Sequence, residues 1–284
     1  MSKIALGTVQ FGLDYGISNV SGQVSFKEVE KILKLAKESS IETLDTSSGY
    51  GNSEKVLGSV GVNDFKIVTK TAPLHLGVEN VLGAFHQSLK DLNVTNVEGL
   101  LIHNIEDIKD KEFDTLYKAL EKLKQDKLIN KIGFSTYTPN QVDFLLENFD
   151  FDLIQVPFNI FDTRLVNGGQ LQSLKNKKIE THARSVFLQG LLLTLPNKRP
   201  KFFSKWSNLF KKWDLWLKSN NISGLEAALN FALSENLLDK IVIGVDSSAH
   251  LIEVISASKI CTQDAPKNLN TIDEILLNPS FWDV

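Results

Sequence analysis

A closed (β/α)8 barrel of the TIM type, an α/β fold in a single domain, is predicted by three observations. Short apolar runs alternate with longer amphipathic stretches eight times along the chain. The short runs are apolar throughout, as strands covered on both faces must be, and parallel strands need crossover connections, which the intervening helices supply. The 284 residues show no linker, low-complexity tract or composition shift that would divide them. Eight units over that length suit a closed barrel better than an open doubly wound sheet. The open alternative usually carries a G-x-G-x-x-G turn after its first strand, and GTVQFG from Gly7 to Gly12 lacks that spacing.

The elements follow in order. IALGTVQF, residues 4–11, reads as the first strand. SFKEVEKILKLAKES, residues 25–39, sets Phe26, Val29, Ile32, Leu33 and Ala36 on one helical face, and Ser25 with Glu28 has the spacing of a capping box. The next strands are IETLDTS (41–47), KIVTK (66–70), VEGLLIH (97–103), KIGFST (131–136), LIQVPF (153–158), IETHARSV (179–186) and KIVIGV (240–245). Helices are expected near 53–60, 78–91, 111–125, 139–147, 167–176, 224–236 and 248–258. A long insertion occupies about 193–223, where Trp206, Phe210, Trp213 and Leu217 recur at helical spacing. That stripe reads as a helix packed on the barrel rim, and a loop of this length at a barrel mouth can also wall a substrate site. Lys205, Lys211, Lys212 and Lys218 around it read as a solvated face; stacking on nucleic acid is not expected.

Composition narrows the function classes. With 42% hydrophobic and 23% charged residues the chain can bury one full core. A net charge of -3 and a pI near 6.0 provide no field for nucleic acid, so a small molecule is the expected partner. The single cysteine, Cys261, excludes an internal disulfide framework and a Cys-cluster metal site. MSKIALGTVQF lacks the pattern of a secretory signal, and no apolar run approaches the ~18 residues of a membrane span. A reducing, cytoplasmic location is expected.

In a (β/α)8 barrel the carboxyl ends of the strands converge on one face, so polar residues there share a site. The second strand ends in Asp45, with Tyr50 following in the loop; the third ends in Lys70 and the fourth in His103. Singly, each has a structural explanation: a turn cap, a loop aromatic, a solvated amine, a core histidine. Together they place a proton-handling group on three neighbouring strands. Reduction of a carbonyl suits them. A tyrosine, with a pKa ordinarily near 10, can protonate a developing alkoxide when a nearby cation eases formation of its phenolate. Lys70 would be that cation, Asp45 the counter-charge that keeps it protonated, and His103 the group that orients the carbonyl or assists proton delivery.

The segments GTVQFG, LDTSSGYGNSE, IVTK, LLIHN, IGFS, QVPFN, SVFLQGLL and IVIGVDSSAHLIE occur in the order and at the strand positions of an aldo-keto reductase, which the chain resembles over nearly its whole length. The resemblance is to short bacterial members that begin LGTVQFG. It implies a nicotinamide cofactor extended across the carboxyl face and a tetrad of Asp45, Tyr50, Lys70 and His103. It also implies that Ser135 and Gln155 hold the nicotinamide carboxamide. Ser185, Leu188 and Gly190 would line the pyrophosphate, and Gly244, Ser247, His250 and Glu253 the adenosine end. Thr8 in GTVQFG belongs to the implied cofactor set.

The chain departs from the family pattern at four positions. Thr136 replaces an asparagine beside the carboxamide. Arg184 replaces a stacking aromatic and is expected to stack on the nicotinamide through its guanidinium plane. Val254 replaces an asparagine near adenine. Asp246 stands where a basic residue often meets the 2′-phosphate. NADP(H) is the family default, yet an acid repels a 2′-phosphate and can accept from a free 2′-hydroxyl, which keeps NAD(H) open.

The expected activity is reduction of an aldehyde or ketone, with a keto-sugar among the candidates because some members of this type resemble surface-sugar enzymes. A second reading is a nucleotide-binding redox sensor or regulatory subunit that keeps the barrel without turnover. A third, a metal-dependent hydrolase using Asp45 and His103, lacks a clustered ligand set, and no metal site is expected. Arg164 and Trp206 are candidates for substrate contact or for rim packing.

Overall fold

In the computed structural model, which describes residues 2–17, 19, 22–260 and 266–283, eight parallel strands close into a barrel. Cys261 lies outside the described residues. The strands are β1 (Ile4–Gly7), β2 (Thr43–Asp45), β3 (Lys66–Lys70), β4 (Val97–Ile102), β5 (Ile129–Ser135), β6 (Leu153–Pro157), β7 (Glu180–Arg184) and β8 (Lys240–Gly244). Each pairs with the next, and β8 returns to β1. The register sets Gly7 beside both Asp45 and Gly244, and Ser135 beside Gln155, so the carboxyl ends form one rim.

Around the sheet run α1 (Phe26–Glu38), α2 (Ser53–Val60), α3 (Val78–Leu92), α4 (Phe113–Gln125), α5 (Pro139–Asn148), α6 (Arg164–Asn167) and α7 (Gln170–Asn176). They are followed by α8 (Ser207–Asn220), α9 (Gly224–Ser234), α10 (Ser248–Ala257) and α11 (Glu274–Leu277). In α1 the stripe of Val29, Ile32, Leu33 and Ala36 is buried. Each of its larger members contributes roughly 1.5–3 kcal/mol, so Ile32→Asp would detach the helix. Phe26, expected on that face, is 44% exposed because it sits in the first turn, beyond the edge of the sheet-facing stripe.

Several local expectations are corrected. The first strand stops at Gly7, and Val9–Phe11 coil into a 3-10 turn that brings Gln10 to the rim. The helix expected over 167–176 is two helices, because Gly169 turns to φ 83° between α6 and α7, a conformation that favours glycine. Ser25 makes no side-chain cap to α1; Glu28 is drawn instead to Ser248 at the start of α10. True capping boxes form at Thr138 with Gln141 and at Ser223 with Glu226.

Inside the barrel Val68, Leu101 and Leu153 fill the centre. Gly133 makes room for them: a Cβ there would lie 2.1 Å from the carbonyl oxygen of Leu153 and 2.6 Å from a methyl of Leu101. The main core lies between the sheet and the helices. A second core joins the loop after β7, α8, α9 and the C-terminal segment, through Phe161, Phe203, Trp206, Phe210, Trp213 and Leu276. The 193–223 segment therefore builds two 3-10 turns and α8 into the body of the molecule, and the stripe read from its spacing is the face that packs.

Among the described residues no helix is long and apolar enough to cross a membrane.

Candidate active site

β2 and β3 end side by side, and this delivers Asp45 and Lys70 to the same buried point. Lys70 Nζ lies 2.8 Å from Asp45 Oδ1 and donates a second bond of 2.8 Å to the carbonyl of Thr46. Both residues are nearly inaccessible, at 2% and 4%. Burial works to strip the ammonium of its proton, but the Asp45 carboxylate and the neighbouring Tyr50 outweigh it and hold the Lys70 pKa above its ordinary value. The amine is thereby held as an ammonium near pH 7.

Tyr50 hangs from the turn after β2 and sets its ring 4.9 Å from the Lys70 ammonium. Burial raises its pKa, while the Lys70 charge pulls it back down. The phenol thus stays protonated at rest with a cation beside it ready to favour the phenolate. His103, immediately after β4, meets the edge of the Tyr50 ring at a centroid distance of 6.1 Å, and its Nδ1 lies 3.4 Å from Ser47 Oγ. Burial, reinforced by the Lys70 charge, lowers its pKa to about 4, so the imidazole is neutral near pH 7.

Gln155 extends the network. Its Nε2 donates to Asp45 Oδ2 at 2.6 Å, so the carboxylate is shared between Lys70 on one oxygen and Gln155 on the other. Thr8 supports the same residue from behind, donating through both its amide and its hydroxyl to the Asp45 carbonyl at 3.0 Å.

These groups open into a cleft of about 570 Å³ that crosses the carboxyl rim from His103 to Glu253. Of the residues implied for a cofactor, Ser135, Gln155, Arg184, Ser185, Gly190, Gly244, Asp246, His250 and Glu253 line it, as does Val254. Four do not, and each has a structural reason. Thr8 is fully buried beneath Asp45. Thr136 is fully buried, and its carbonyl accepts a bond of 2.8 Å from Arg184. Leu188 turns its side chain into the second core, and Ser247 caps α10 by accepting from the His250 amide. Arg164 is committed to Asp162 and the Tyr137 carbonyl, and Trp206 donates to Asp273; neither lines the cleft.

Arg184 lies over the Tyr137 ring, with Cζ 4.1 Å from the ring centroid, and it is also tied to Ser185 Oγ. Tyr137, Tyr15, Gln10 and Gln189 line the cleft without a signal in their sequence context. Tyr15 and Gln189 meet across it: Gln189 Nε2 donates to the Tyr15 hydroxyl at 3.0 Å, and the Ile17 amide donates to the Gln189 carbonyl. A link 174 residues long in sequence leaves no local trace.

The cleft suits a dinucleotide on two grounds. Gln10 Oε1 is buried without a hydrogen-bond partner in the protein, beside Gly244, where a Cβ would come within 2.8 Å of it. The chain after β7 passes through positive φ at Ser185, Leu188, Gln189 and Gly190, and this turned backbone carries Ser185, Val186, Phe187, Gln189 and Gly190 along one wall of the cleft. Among the described residues no group of three or more His, Cys, Asp or Glu is placed to hold a metal ion.

A parallel barrel thus carries a long cleft across its carboxyl rim, with a buried acid–amine pair beneath a phenol at its inner end. A sequence model of the Aldo/keto reductase family matches residues 3–276, and the chain belongs to that family. It is 29% identical over 233 residues to glyoxal reductase of Bacillus subtilis, spanning 75% of this chain and 82% of that one. It is 24% identical over 253 residues to D-arabinose 1-dehydrogenase of Saccharomyces cerevisiae, spanning 78% and 74%. The fold superposes on the holo form of the aldo-keto reductase AKR11C1 from Bacillus halodurans with a TM-score of 0.73, at 18% identity, covering 93% and 88% of the two chains.

Proposed function

We propose that the protein reduces a small, oxygen-rich aldehyde or ketone to an alcohol, with Tyr50 as the proton donor. The observation that carries the reading is the buried Lys70–Asp45 pair set against the Tyr50 ring. A nicotinamide dinucleotide, when bound, supplies the hydride. Ser135 and Gln155 on adjacent strands offer polar groups to its carboxamide, Arg184 forms the wall beside them, and the turned loop from Ser185 to Gly190 faces its phosphates.

The remaining chemistry belongs to this chain. Neutral His103 can donate a hydrogen bond to the substrate carbonyl and fix it near the phenol. As negative charge develops on that oxygen, the Tyr50 proton moves to it, and the Lys70 ammonium stabilises the phenolate left behind. Asp45 keeps the amine charged and in place; Gln155 keeps Asp45 in place. Tyr15, Tyr137 and Gln189 line the outer cleft with flat rings and polar tips, surfaces suited to a hydroxylated carbonyl. The names of the two curated relatives, one acting on glyoxal and one on D-arabinose, support the same substrate class.

The test is carbonyl-dependent oxidation of reduced nicotinamide cofactor over a panel of dicarbonyls, aldoses, keto-sugars and apolar ketones. Turnover with the oxygenated members is expected. Tight nucleotide binding with no turnover anywhere on the panel would favour a non-catalytic nucleotide sensor instead.

A further inference from the structure

The adenosine end of the cleft is built by the segment from Val242 to Val254, and it carries an electrostatic signature that the family membership does not specify. Residues 242–254 contain no lysine or arginine. The cations that line the cleft, Lys70 and Arg184, stand at the ends of β3 and β7. At the adenosine end the charged groups are Asp246 and Glu253, with His250 bonded through Nδ1 to the Asp246 carboxylate.

A helix N-terminus would ordinarily make up for missing basic side chains, because its free amides and dipole favour anions. In α10 two of those amides are already spent. The Ser248 amide donates to Glu28 Oε1 at 2.7 Å, the Ser248 hydroxyl donates to the same oxygen at 2.6 Å, and the His250 amide donates to Ser247 Oγ at 3.1 Å. Glu28 reaches this place from α1, 220 residues away in sequence, and its second oxygen pairs with the exposed Lys31 at 3.0 Å. The bonds from the Ser248 side chain and backbone hold the Glu28 pKa down to about 2, so the carboxylate stays charged across the physiological range.

We propose that Glu28 and Asp246 together make this enzyme select NAD(H) over NADP(H): Glu28 fills the anion seat at the head of α10, and Asp246 is left to accept from a free ribose 2′-hydroxyl. A 2′-phosphate dianion would meet the Asp246 carboxylate, no basic side chain from residues 242–254, and a helix head whose Ser248 amide Glu28 has already taken. A 2′-hydroxyl brings no such charge and supplies a donor. The inference rests on the reading of the cleft as a nicotinamide-dinucleotide site and adds the partner form that site accepts.

Quenching of intrinsic fluorescence by NADH and by NADPH, titrated separately on the whole chain without substrate, is the experiment. The Kd for NADH is expected to be lower by about tenfold or more. The gap is expected to narrow as ionic strength rises, because charge repulsion is its source. In Glu28→Gln combined with Asp246→Ser, NADPH affinity is expected to rise by about tenfold. Glu28→Gln keeps an amide oxygen for Ser248, and thermal melting of the single variant confirms that α10 stays capped. Equal affinity, or tighter NADPH binding, in the wild-type protein overturns the inference alone. A double variant that gains nothing for NADPH overturns the role assigned to the two acids. Failure of both cofactors to bind takes down the reading of the cleft itself, and this inference with it.

Discussion

Both ends of the barrel gather charge, half-exposed at the amino end and buried at the carboxyl end, and they arrange it in opposite ways. At the amino end Lys131 lies between Glu98 and Glu180, each in direct contact, and Glu180 also meets His182 Nε2 at 2.7 Å. At the carboxyl end Lys70 has one carboxylate, a backbone carbonyl and a phenol that still carries its proton. The first cluster pairs its charges with each other. The second leaves a cation beside a group able to change its charge, with a cleft on the far side. Clustered ionic groups alone do not mark a candidate catalytic centre; a protonated phenol beside a cation that has a single carboxylate partner, open to a cleft, is the stronger sign.

Breaking the carboxyl-end pair is expected to have the largest effect. Lys70→Met leaves the Asp45 carboxylate buried without its counter-charge, a cost of about 3–5 kcal/mol. It also removes the phenolate stabiliser, so kcat/KM is expected to fall by about 10²-fold or more. Denaturant melts and steady-state assays on one preparation read both losses. Between the two ends, Gly133→Ala forces a methyl against the Leu153 carbonyl and is expected to cost about 1–3 kcal/mol, visible as a lower denaturation midpoint. Lys131→Met at the amino end is expected to cost only about 1–2 kcal/mol, since this cluster is partly solvated, and to leave kcat/KM at the wild-type value. A large activity loss there would erase the distinction between the ends.

The smallest expected effect is a titration. His103 is neutral in the native state down to about pH 4, whereas an unfolded histidine takes its proton near 6.5. Between those values the unfolded chain holds more protons, so the contribution of His103 to stability is complete above pH 6.5 and is lost as pH falls toward 4. NMR of the imidazole is expected to give a midpoint near 4; an ordinary midpoint would mean the site is wetter than its burial implies.

The barrel and the convergence of Asp45, Tyr50, Lys70 and His103 on one rim are legible in the sequence because each rests on a local pattern. A run of apolar residues marks a strand, and the first polar residue after it marks the rim, which is why Asp45, Lys70 and His103 stand out. What was illegible is what depends on distant partners. Ser25 and Glu28 have the spacing of a capping box, yet tertiary packing of α1 against α10 takes Glu28 elsewhere. The same spacing at Ser223 and Glu226 closes as written, because no competing donor takes the carboxylate. Thr8 and Leu188 enter the implied cofactor set by position in a motif, and no local pattern foretells that their side chains turn inward, Thr8 beneath Asp45 and Leu188 into the second core. Tyr15, Tyr137 and Gln189 reach the cleft from loops with no periodicity to read.

The central claim is that the phenol of Tyr50 gives up its proton to the substrate under the influence of Lys70. Single-turnover reduction by Tyr50→Phe, measured alongside cofactor binding by the same preparation, tests it most directly. Cofactor should bind as it does to the wild-type protein while the hydride-transfer step slows by about 10²–10⁴-fold. A variant that binds normally and reduces the carbonyl at the wild-type rate would contradict the account.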